Sequence, residues 1–533
     1  MPMGSDTNFE KITTVVTATA VEDEAELARM GYKQELRREL SLLQNFGMSF
    51  TIISIITGIP SLFLYGLNTG GPAVMVWGWI VVACATMLVG LAMAEICSAH
   101  PTSGGPYYWA AMLSNPESAP LTSWITGWFN LLGQVAVTTG ISFACATFLS
   151  TVAEFGTTFV PTPKSTIGIY AAVLVSQGLI NTFGVHLLKY LNNISVWWHI
   201  LGTTSVVVAV LAGAPKHQSA DFVFRTFIDG TGINGNEGWG TRASHAYVCV
   251  IGTLMAQYTM TGYDASAHMT EETQNAAMAG SIGIVTAIGC SAVLGWFLIL
   301  GLLFSIQDLE TTINSPTGEP VAQIFIDTVG EKGAIVLMTV VIGAMYFCGT
   351  FSITSNSRMM FAFARDGGIP GHEFFRKVDP KRGTPIRTVW LACVLSFLLG
   401  LPSLGSSVAF SAATSITTIG FYISYGIPIA LRVIYRGRFT HGPFRLGSFS
   451  IPVATGAVVW IAFISIVFIL PQANPVTSQT LNYSIVCVGI VLLYSIGFWL
   501  ISAKSWFTGP IRQISAEEMG VSQTLELEES KMP

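Results

Sequence analysis

Two hydrophobic segments, far apart in the chain, each contain a Thr-Gly pair, a combination that disfavours helix. The first is Thr57-Gly58, which is followed by Pro60, and the second is Thr261-Gly262, which is followed by Asp264. In a bilayer every backbone N–H and C=O group needs a partner, so a helix is interrupted only where the freed groups face protein, water or a ligand. Matching interruptions in two halves of a chain indicate the binding site of a secondary transporter.

The two interruptions offer complementary chemistry. Unwinding at Thr57-Gly58-Ile59 is predicted to expose N–H groups at the positive end of the following half-helix, which attracts a carboxylate. The carbonyl groups freed at the second interruption, with Asp264 beside them, suit an ammonium group. A pocket of this kind accepts an amino acid or a small organic cation, and the rings of Tyr258, Tyr263 or Phe351 can add cation–π attraction.

Two carboxylates within or beside the hydrophobic segments are candidates for proton coupling. Asp264 follows Thr261-Gly262-Tyr263 at a depth where the helix is still inside the membrane, and an intramembrane carboxylate is costly enough to be a functional candidate. Its alternative role is to cap the second half-helix. Glu95, at the inner end of the second segment, is either an inner gate or proton-linked carboxylate, or a capping partner at the membrane interface.

Composition indicates the elements that must position these groups. Hydrophobic residues make up 51% of the 533-residue chain and charged residues 10%, against roughly 25% charged residues in soluble domains. Twelve hydrophobic runs approach the roughly 20 residues that cross a bilayer. The predicted fold class is an all-α membrane protein with twelve transmembrane helices, of which the first and sixth are broken.

The distribution of Lys and Arg predicts the orientation. With the N-terminus inside, 20 of the 25 Lys and Arg residues fall in the N-terminal segment, the inner loops and the C-terminal tail, as the positive-inside rule requires. Both termini are therefore predicted to be cytoplasmic, with no cleaved signal peptide. We expect disordered cytoplasmic tails over residues 1–44 and 503–533, the second of which is acidic. Residues 214–245 are expected to form an extracellular loop.

Other functional classes lack the residues that they need. The eight cysteines form no metal-like cluster, no set of nucleophile, base and oxyanion donors can be assembled, and nucleotide-binding motifs are missing. We therefore predict no enzyme activity, no cofactor, no metal and no nucleic-acid partner. A channel would need a repeated polar lining or a filter loop. A nutrient sensor with a transporter fold remains an alternative, although short tails disfavour it.

A series of motifs runs in order through roughly residues 30 to 505. They are Asn45-Phe-Gly-Met-Ser-Phe, Asn68-Thr-Gly-Gly-Pro72, Trp77-Gly78-Trp79, Met93-Ala-Glu95-Ile, Pro101-Thr-Ser-Gly-Gly105, Thr126-Gly-Trp-Phe-Asn130, the run from Gly262 to Glu272 and the run from Arg358 to Pro370. In combination they resemble the fungal amino acid/choline transporter family (GABA permease-like) of the amino acid–polyamine–organocation superfamily. They are also similar to plant and bacterial bidirectional amino acid and GABA permeases.

The resemblance implies a fold of two inverted five-helix repeats, here residues 45–213 and 246–432, followed by helices 11 and 12 in 433–502. It implies that Thr57 and Gly58, with Ser54 one turn away, hold a substrate carboxylate. Thr261, Gly262 and Tyr263 would hold the amine side.

The resemblance also implies gating and coupling residues. Tyr258 stands where related antiporters have a gating tryptophan, and Asp264 stands at a position suspected of proton coupling. The basic segment Arg358 to Asp366 resembles the cytoplasmic loop after helix 8 and is a candidate gate or topology anchor.

The expected protein is thus a multi-pass permease with the lipid bilayer, protons and a small amino acid or amine as partners. The plasma membrane is the first candidate location, and the vacuole and Golgi are the alternatives, because they would need the same spans. GABA is the first candidate substrate. A choline or polyamine transporter is the alternative.

Overall fold

The computed structural model describes residues 22–155, 157–404 and 409–510, and within these residues it has helices but no strand. Eleven helices in this part of the chain are long and apolar enough to cross a membrane. The interrupted segment over 245–268 adds a twelfth, because its short pieces follow one another between two such helices. The predicted all-α membrane fold with broken first and sixth segments is confirmed.

The first five segments begin with an interrupted helix. It consists of α1a (Leu42–Ile53) and α1b (Ile55–Ser61), and a further short helix, Phe63–Asn68, extends it. The next four are α2 (Gly71–Ala99), α3 (Ala119–Glu154), α4 (Pro163–Phe183) and α5 (Val185–Gly213). Capping boxes begin α1a at Ser41 and α4 at Thr162, each satisfying N–H groups that a helix start leaves unpaired.

The second five segments begin with the other interrupted helix. It consists of α6a (His245–Gly252 and Leu254–Thr259) and α6b (Ala265–His268). Next come α7 (Ala276–Phe304), α8 (Pro320–Arg365), α9 (Ile386–Gly400) and α10 (Ala409–Ile434). The last two segments are α11 (Ser450–Val467) and α12 (Ser484–Ile501).

Short helices lie in the connections at the two ends of the bundle. Pro106–Leu113 connects α2 to α3, and His372–Phe375 lies between α8 and α9. Ala220–Arg225 and Trp239–Arg242 lie in the 214–245 segment, and Leu309–Ile313 precedes α8. We call the end that holds the α2–α3, α6–α7 and α8–α9 connections the inner end.

The packing places the two interrupted helices in the centre. The long α3 packs along α8 and α10, while α7 packs along α2 and α1a. The last helix is peripheral: Leu493 and Ile501 of α12 are 75% and 85% exposed. Apolar side chains in such positions suit contact with lipid tails.

The prediction of disordered tails does not hold over all of 1–44 and 503–533. Residues 22–41 pack against the inner end, where Leu27, Tyr32 and Leu36 are buried. Ala503 and Phe507 are also buried, next to α3. The predictions for residues 1–21 and 511–533 lie outside the described residues.

The segment Arg358 to Asp366 was expected to be a loop, and this was wrong for all but its last residue. Helix α8 has one break, at Gly330 (φ 73°, ψ 169°), and from there it continues to Arg365. The side chains of Arg358 and Arg365 are buried against acidic partners, and this pairing lets a helix with two arginines remain within the protein.

Candidate functional site

The interruption of α1 lies at Ser54, three residues before the predicted one. Ser54 has φ 32° and ψ 76°, a left-handed conformation that is unusual for a residue with a side chain. Thr57-Gly58-Ile59, predicted to be unwound, belongs to the helical α1b, and the N–H groups of Thr57 and Gly58 donate to the Ser54 carbonyl at 2.8 and 3.0 Å. The groups left without an intrahelical acceptor are therefore the N–H groups of Ile55 and Ile56.

The interruption of α6 lies where the sequence predicted it. Gly262 has φ 88°, and a Cβ atom there would meet Cγ2 of Ile52 at 2.5 Å, so the position needs glycine on two grounds. The Thr261 hydroxyl donates to the Tyr258 carbonyl at 2.6 Å. The Thr261 N–H donates to the same carbonyl at 3.2 Å, so this carbonyl at the end of α6a already has two donors.

The two interrupted helices touch at a glycine. A Cβ atom on Gly58 would lie 2.4 Å from Oγ1 of Thr259. A second glycine, Gly140 on α3, faces the hydroxyl of Tyr258, and a Cβ atom there would lie 2.4 Å from it. Glycine therefore brings α1, α3 and α6 closer together than side chains would permit.

A small cavity of about 10 Å³ lies at this crossing, roughly the space of one water molecule. Its lining comes from α1, α3, α6 and α8: Ile52, Ile53, Ser54, Thr57, Gly58, Val137, Ile141, Tyr258, Thr259, Thr261 and Cys348. Five of the predicted substrate residues are thus brought together: Ser54, Thr57, Gly58, Tyr258 and Thr261. The lining contains hydroxyl groups and one thiol, and none of these residues is acidic or basic.

Four predicted contact residues lie elsewhere. Ile59 is fully buried in the core, and Gly262 packs on Ile52 outside the lining. The ring of Tyr263 packs 5.3 Å from that of Tyr425 on α10. Phe351 belongs to an apolar cluster on the inner side of the cavity.

Two residues near the cavity were missed by the sequence analysis. His199 on α5 is 1% exposed, and its Nε2 atom lies 2.8 Å from the Ser54 hydroxyl. Cys348 on α8 donates its thiol hydrogen to the Ile52 carbonyl at 3.3 Å. An ionisable residue inside a hydrophobic span was a usable signal for His199, whereas no pattern indicated Cys348.

Asp264 is fully buried, but it faces α3 and not the cavity. Its Oδ2 atom accepts hydrogen bonds from Asn130 at 3.2 Å and Gln134 at 3.0 Å, both on α3. The same oxygen lies 3.2 Å from Nε2 of His268, while Nδ1 of His268 donates to the Ser103 carbonyl at 2.8 Å. The short Nε2–Oδ2 contact needs one hydrogen, which either partner can carry.

Glu95 is 2% exposed, and its partners are separate from those of Asp264. Its carboxylate accepts hydrogen bonds from the Ser450 hydroxyl at 2.5 Å and the Leu446 N–H at 3.3 Å, and His441 lies 3.5 Å away. Glu95 therefore anchors the start of α11, which is the capping alternative. These contacts give it no link to the cavity.

An apolar plug separates the cavity from the inner end. It consists of Leu40, Met48, Ile52, Leu188, Ala265, Met269 and Phe351. Ile52 lines the central cavity, whereas Met48 and Met269 line a second cavity of about 300 Å³ at the inner end. We call this second cavity the inner vestibule.

Two ion pairs hold the inner end together beside the plug. Arg358, predicted as a gate, is 1% exposed, lines the inner vestibule and donates to Glu272 at 2.7 Å. Arg365 makes two hydrogen bonds to Glu271, at 3.0 and 3.1 Å. Burial raises the pKa of Glu271, but Arg365 and the Ser103 N–H outweigh it and hold that pKa below its ordinary value.

Residues 22–40, which we call the inner strap, connect these elements. Leu40 exchanges backbone hydrogen bonds with Glu272 and Gln274, both at 2.9 Å. Asp23 accepts from the first N–H groups of α7, at 2.8 and 3.1 Å. The Tyr32 hydroxyl donates to Asp366 at 2.9 Å. The Arg365 guanidinium lies 3.9 Å above the Tyr32 ring.

The chain is similar to known permeases over nearly its whole length. A family model described as amino acid permease matches residues 40–493. An amino-acid permease BAT1 homolog of Oryza sativa subsp. japonica is 45% identical over 507 residues, covering 92% of this chain and 96% of the relative. Amino-acid permease BAT1 of Arabidopsis thaliana is 44% identical, with the same coverage. A GABA-specific permease of Saccharomyces cerevisiae is 31% identical over 96% of this chain and 90% of its own length.

Proposed function

Because the chain belongs to the amino acid permease family, we propose that it moves a small zwitterionic amino acid across a membrane by alternating access. The observation that carries this proposal is the cavity at the crossing of the two interrupted helices. A transporter needs such a central site with a barrier on each side. The apolar plug supplies the inner barrier.

The cavity favours a solute without net charge. The N–H groups of Ile55 and Ile56, at the start of α1b, suit the carboxylate. The hydroxyl oxygen of Thr57, which lines the cavity, suits the ammonium group. Since the lining residues include no carboxylate, a choline or polyamine cation would meet no opposite charge there, and an unpaired buried charge is costly.

GABA remains the first candidate among such zwitterions, followed by neutral α-amino acids. The GABA-specific permease of Saccharomyces cerevisiae supports GABA, but the two plant permeases, which are more similar, are named only for amino acids. Choline and polyamines are the runner-up substrates, and the ring of Tyr258 in the cavity lining is the feature that would serve them.

Proton coupling through Asp264 is part of the proposal. The contact between Asp264 and His268 holds one hydrogen between them, and Asn130 and Gln134 connect it to α3. Because α3 also contributes Val137 and Ile141 to the cavity lining, a change of protonation at Asp264 acts on the cavity through α3 and α6.

The plasma membrane, with both termini in the cytoplasm, is the proposed location. The charge distribution of the loops supports this orientation. It makes the inner end cytoplasmic and the 214–245 segment extracellular. The 300 Å³ inner vestibule is then the route by which the solute reaches the cytoplasm.

Uptake into permease-deficient yeast tests the proposal. Labelled GABA, a mixture of neutral amino acids, choline and a polyamine are compared at two external pH values, with surface expression measured in parallel. We expect saturable uptake of one or more zwitterions that increases on acidification. Uptake of choline or polyamine alone would replace the proposed substrate class, and no uptake by protein at the cell surface would contradict an importer.

A further inference from the structure

His199 on α5 contacts the interruption of α1 directly. Its ring lies behind the cavity, with Nε2 2.8 Å from the Ser54 hydroxyl, and the Ser54 hydroxyl lies 2.5 Å from that of Thr57. Ser54 and Thr57 both line the cavity, whereas His199 does not. A buried titratable side chain is thus one hydrogen bond away from the groups that would contact a solute.

The partner of the other ring nitrogen fixes the tautomer of His199. Nδ1 lies 2.8 Å from the Ser195 carbonyl, which can only accept. Nδ1 must therefore carry a hydrogen, and in the neutral ring Nε2 has none and accepts. The Ser54 hydroxyl then donates to His199. Because its one hydrogen is used there, the hydrogen between Ser54 and Thr57 must come from Thr57.

This order gives the Thr57 hydroxyl a defined direction. Its hydrogen points to Ser54, and its lone pairs remain to accept from the cavity, which suits an ammonium group. If His199 gains a second proton, Nε2 becomes a donor and the direction of these hydrogen bonds reverses. His199 then donates to Ser54, Ser54 donates to Thr57, and the Thr57 hydrogen turns to the cavity. A free donor there opposes an ammonium group.

In the part of the chain that the structure describes, the polar contacts of the His199 ring are limited to its neighbours Ser195 and Ser54. Ser195 faces it from its own helix and Ser54 from α1, while the Phe50 ring lies 6.0 Å away. From α8, Cys348 donates to the Ile52 carbonyl and not to the ring. Among the described residues, no carboxylate, lysine or arginine is hydrogen-bonded to His199. No charged neighbour therefore competes with Ser54 for Nε2.

We propose that His199 is a positioning residue of the substrate site, which when neutral turns the Thr57 hydroxyl into an acceptor for the substrate ammonium group. The inference rests on the proposed function, since it assumes an amino acid in the cavity. It assigns to His199 a role separate from that of Asp264. Asp264 would set how uptake responds to a proton gradient, and His199 would set how tightly the ammonium group is bound.

Uptake kinetics of His199→Gln and His199→Ala test the role. Glutamine can accept from Ser54 but cannot titrate, so we expect it to retain the wild-type KM at neutral pH. Alanine removes the acceptor, and we expect KM to rise by about fivefold, as for the loss of one hydrogen bond, with a smaller change in maximal rate. His217→Gln, on an exposed histidine of the 214–245 segment, is the matched control and should leave KM unchanged.

The comparison of the two variants separates positioning from simple packing. In the wild type, KM should not respond to His199 as the pH falls from about 8 to 5, because the ring is buried without a charged partner and burial disfavours its protonated form. The KM profiles of the wild type and His199→Gln should therefore coincide, while the acid stimulation of the maximal rate persists in both. A KM that rises on acidification only in the wild type, or equal losses in the Gln and Ala variants, would overturn the proposal.

A second readout does not depend on transport. The alkylation rate of Cys348 in purified protein without substrate, measured on its peptide by mass spectrometry, reports how firmly Ser54 is held. We expect alkylation to be about fivefold faster in His199→Ala and unchanged in His199→Gln, by the same loss of a hydrogen bond. Equal rates in all three proteins would refute the positioning role, whereas absent uptake of amino acids by the wild type would refute only the proposed function.

Discussion

Single residues decide how closely the interrupted helices approach one another. Gly58 and Gly140 leave room for Thr259 and Tyr258, and Ser54 accepts a left-handed conformation that few side chains adopt. Asp264, by contrast, is turned away from the cavity by its bonds to α3. The residues that shape the cavity and the residue proposed to carry a proton are therefore different, and substitutions should separate them.

Gly58→Ala should abolish most uptake without removing the protein from the membrane. The new Cβ atom would meet Oγ1, Cβ and Cγ2 of Thr259 within 2.8 Å, and this side chain is too stiff to move aside. Overpacking of this kind costs about 1–3 kcal/mol. Gly168→Ala on α4, where nothing lies within 4 Å, is the control. Equal uptake by both variants would mean that α1b and α6a do not need this contact.

Asp264→Asn should remove the response of uptake to external pH while leaving KM at neutral pH within about threefold of wild type, because Asp264 does not line the cavity. The measurement is the initial rate of uptake across a pH series. Glu95→Gln is the matched control, since Glu95 contacts the start of α11. A pH response that survives in Asp264→Asn, or one that disappears in Glu95→Gln, would show that a residue other than Asp264 carries the coupled proton.

At the scale of elements, the sequence predicted the interrupted helices but not their contacts. The two Thr-Gly pairs correctly marked α1 and α6, because a weak helix former inside a hydrophobic run is a local signal. Ser54, at the break, contacts His199, which is 145 positions away, and Asp264 is held by Asn130 and Gln134 of α3. The inner strap is likewise held by backbone hydrogen bonds between Leu40 and the α6–α7 connection. Such tertiary contacts leave no periodic pattern.

The inner end should depend strongly on the Glu271–Arg365 pair. Glu271→Gln would leave the Arg365 charge buried with a weaker partner, and breaking a buried pair costs about 3–5 kcal/mol, so the melting temperature of the purified protein should fall markedly. Glu39→Gln, in the exposed pair with Lys189, should change it little. Similar melting temperatures would show that the inner end is held by the apolar plug alone.

The same pair gives stability a defined pH dependence. The pKa of Glu271 is lower in the folded protein than its ordinary value, so its contribution is fully present above that ordinary value. It is lost as the pH falls through the lower, folded value. Melting temperature measured from neutral to acidic pH should therefore fall less in Glu271→Gln than in the wild type. An equal fall of the melting temperature in both proteins would exclude Glu271 as the cause of the pH dependence.

On the scale of the whole molecule, the inner strap, the plug and the two ion pairs close one end, while the 214–245 segment covers the other. The Gly70 N–H donates to the Ile228 carbonyl at 2.8 Å, and the Asn474 N–H donates to the Thr231 carbonyl at 2.8 Å. The central cavity thus has protein on both sides in this structure. The proposed alternating access then requires the plug residues on α1a and α6b to move away from Leu188 on α5 and Phe351 on α8 while the outer end stays closed.

The orientation predicted from charge can be tested with two epitope tags. A tag inserted at Gly235, where a Cβ atom would find nothing within 4 Å, should be accessible on intact cells. A tag at the N-terminus should become accessible only after permeabilisation. The reverse pattern would place the inner vestibule outside the cell and invert the proposed direction of opening.

The central claim is that an amino acid binds where the two interrupted helices cross. Cys348 lies in that lining, so the most direct measurement is the alkylation rate of its thiol in purified protein with and without saturating substrate. Cys290, an exposed cysteine on α7, serves as the internal reference. We predict that a transported zwitterion slows alkylation of Cys348 and leaves Cys290 unchanged, whereas equal Cys348 rates with and without the transported solute would place its binding site elsewhere.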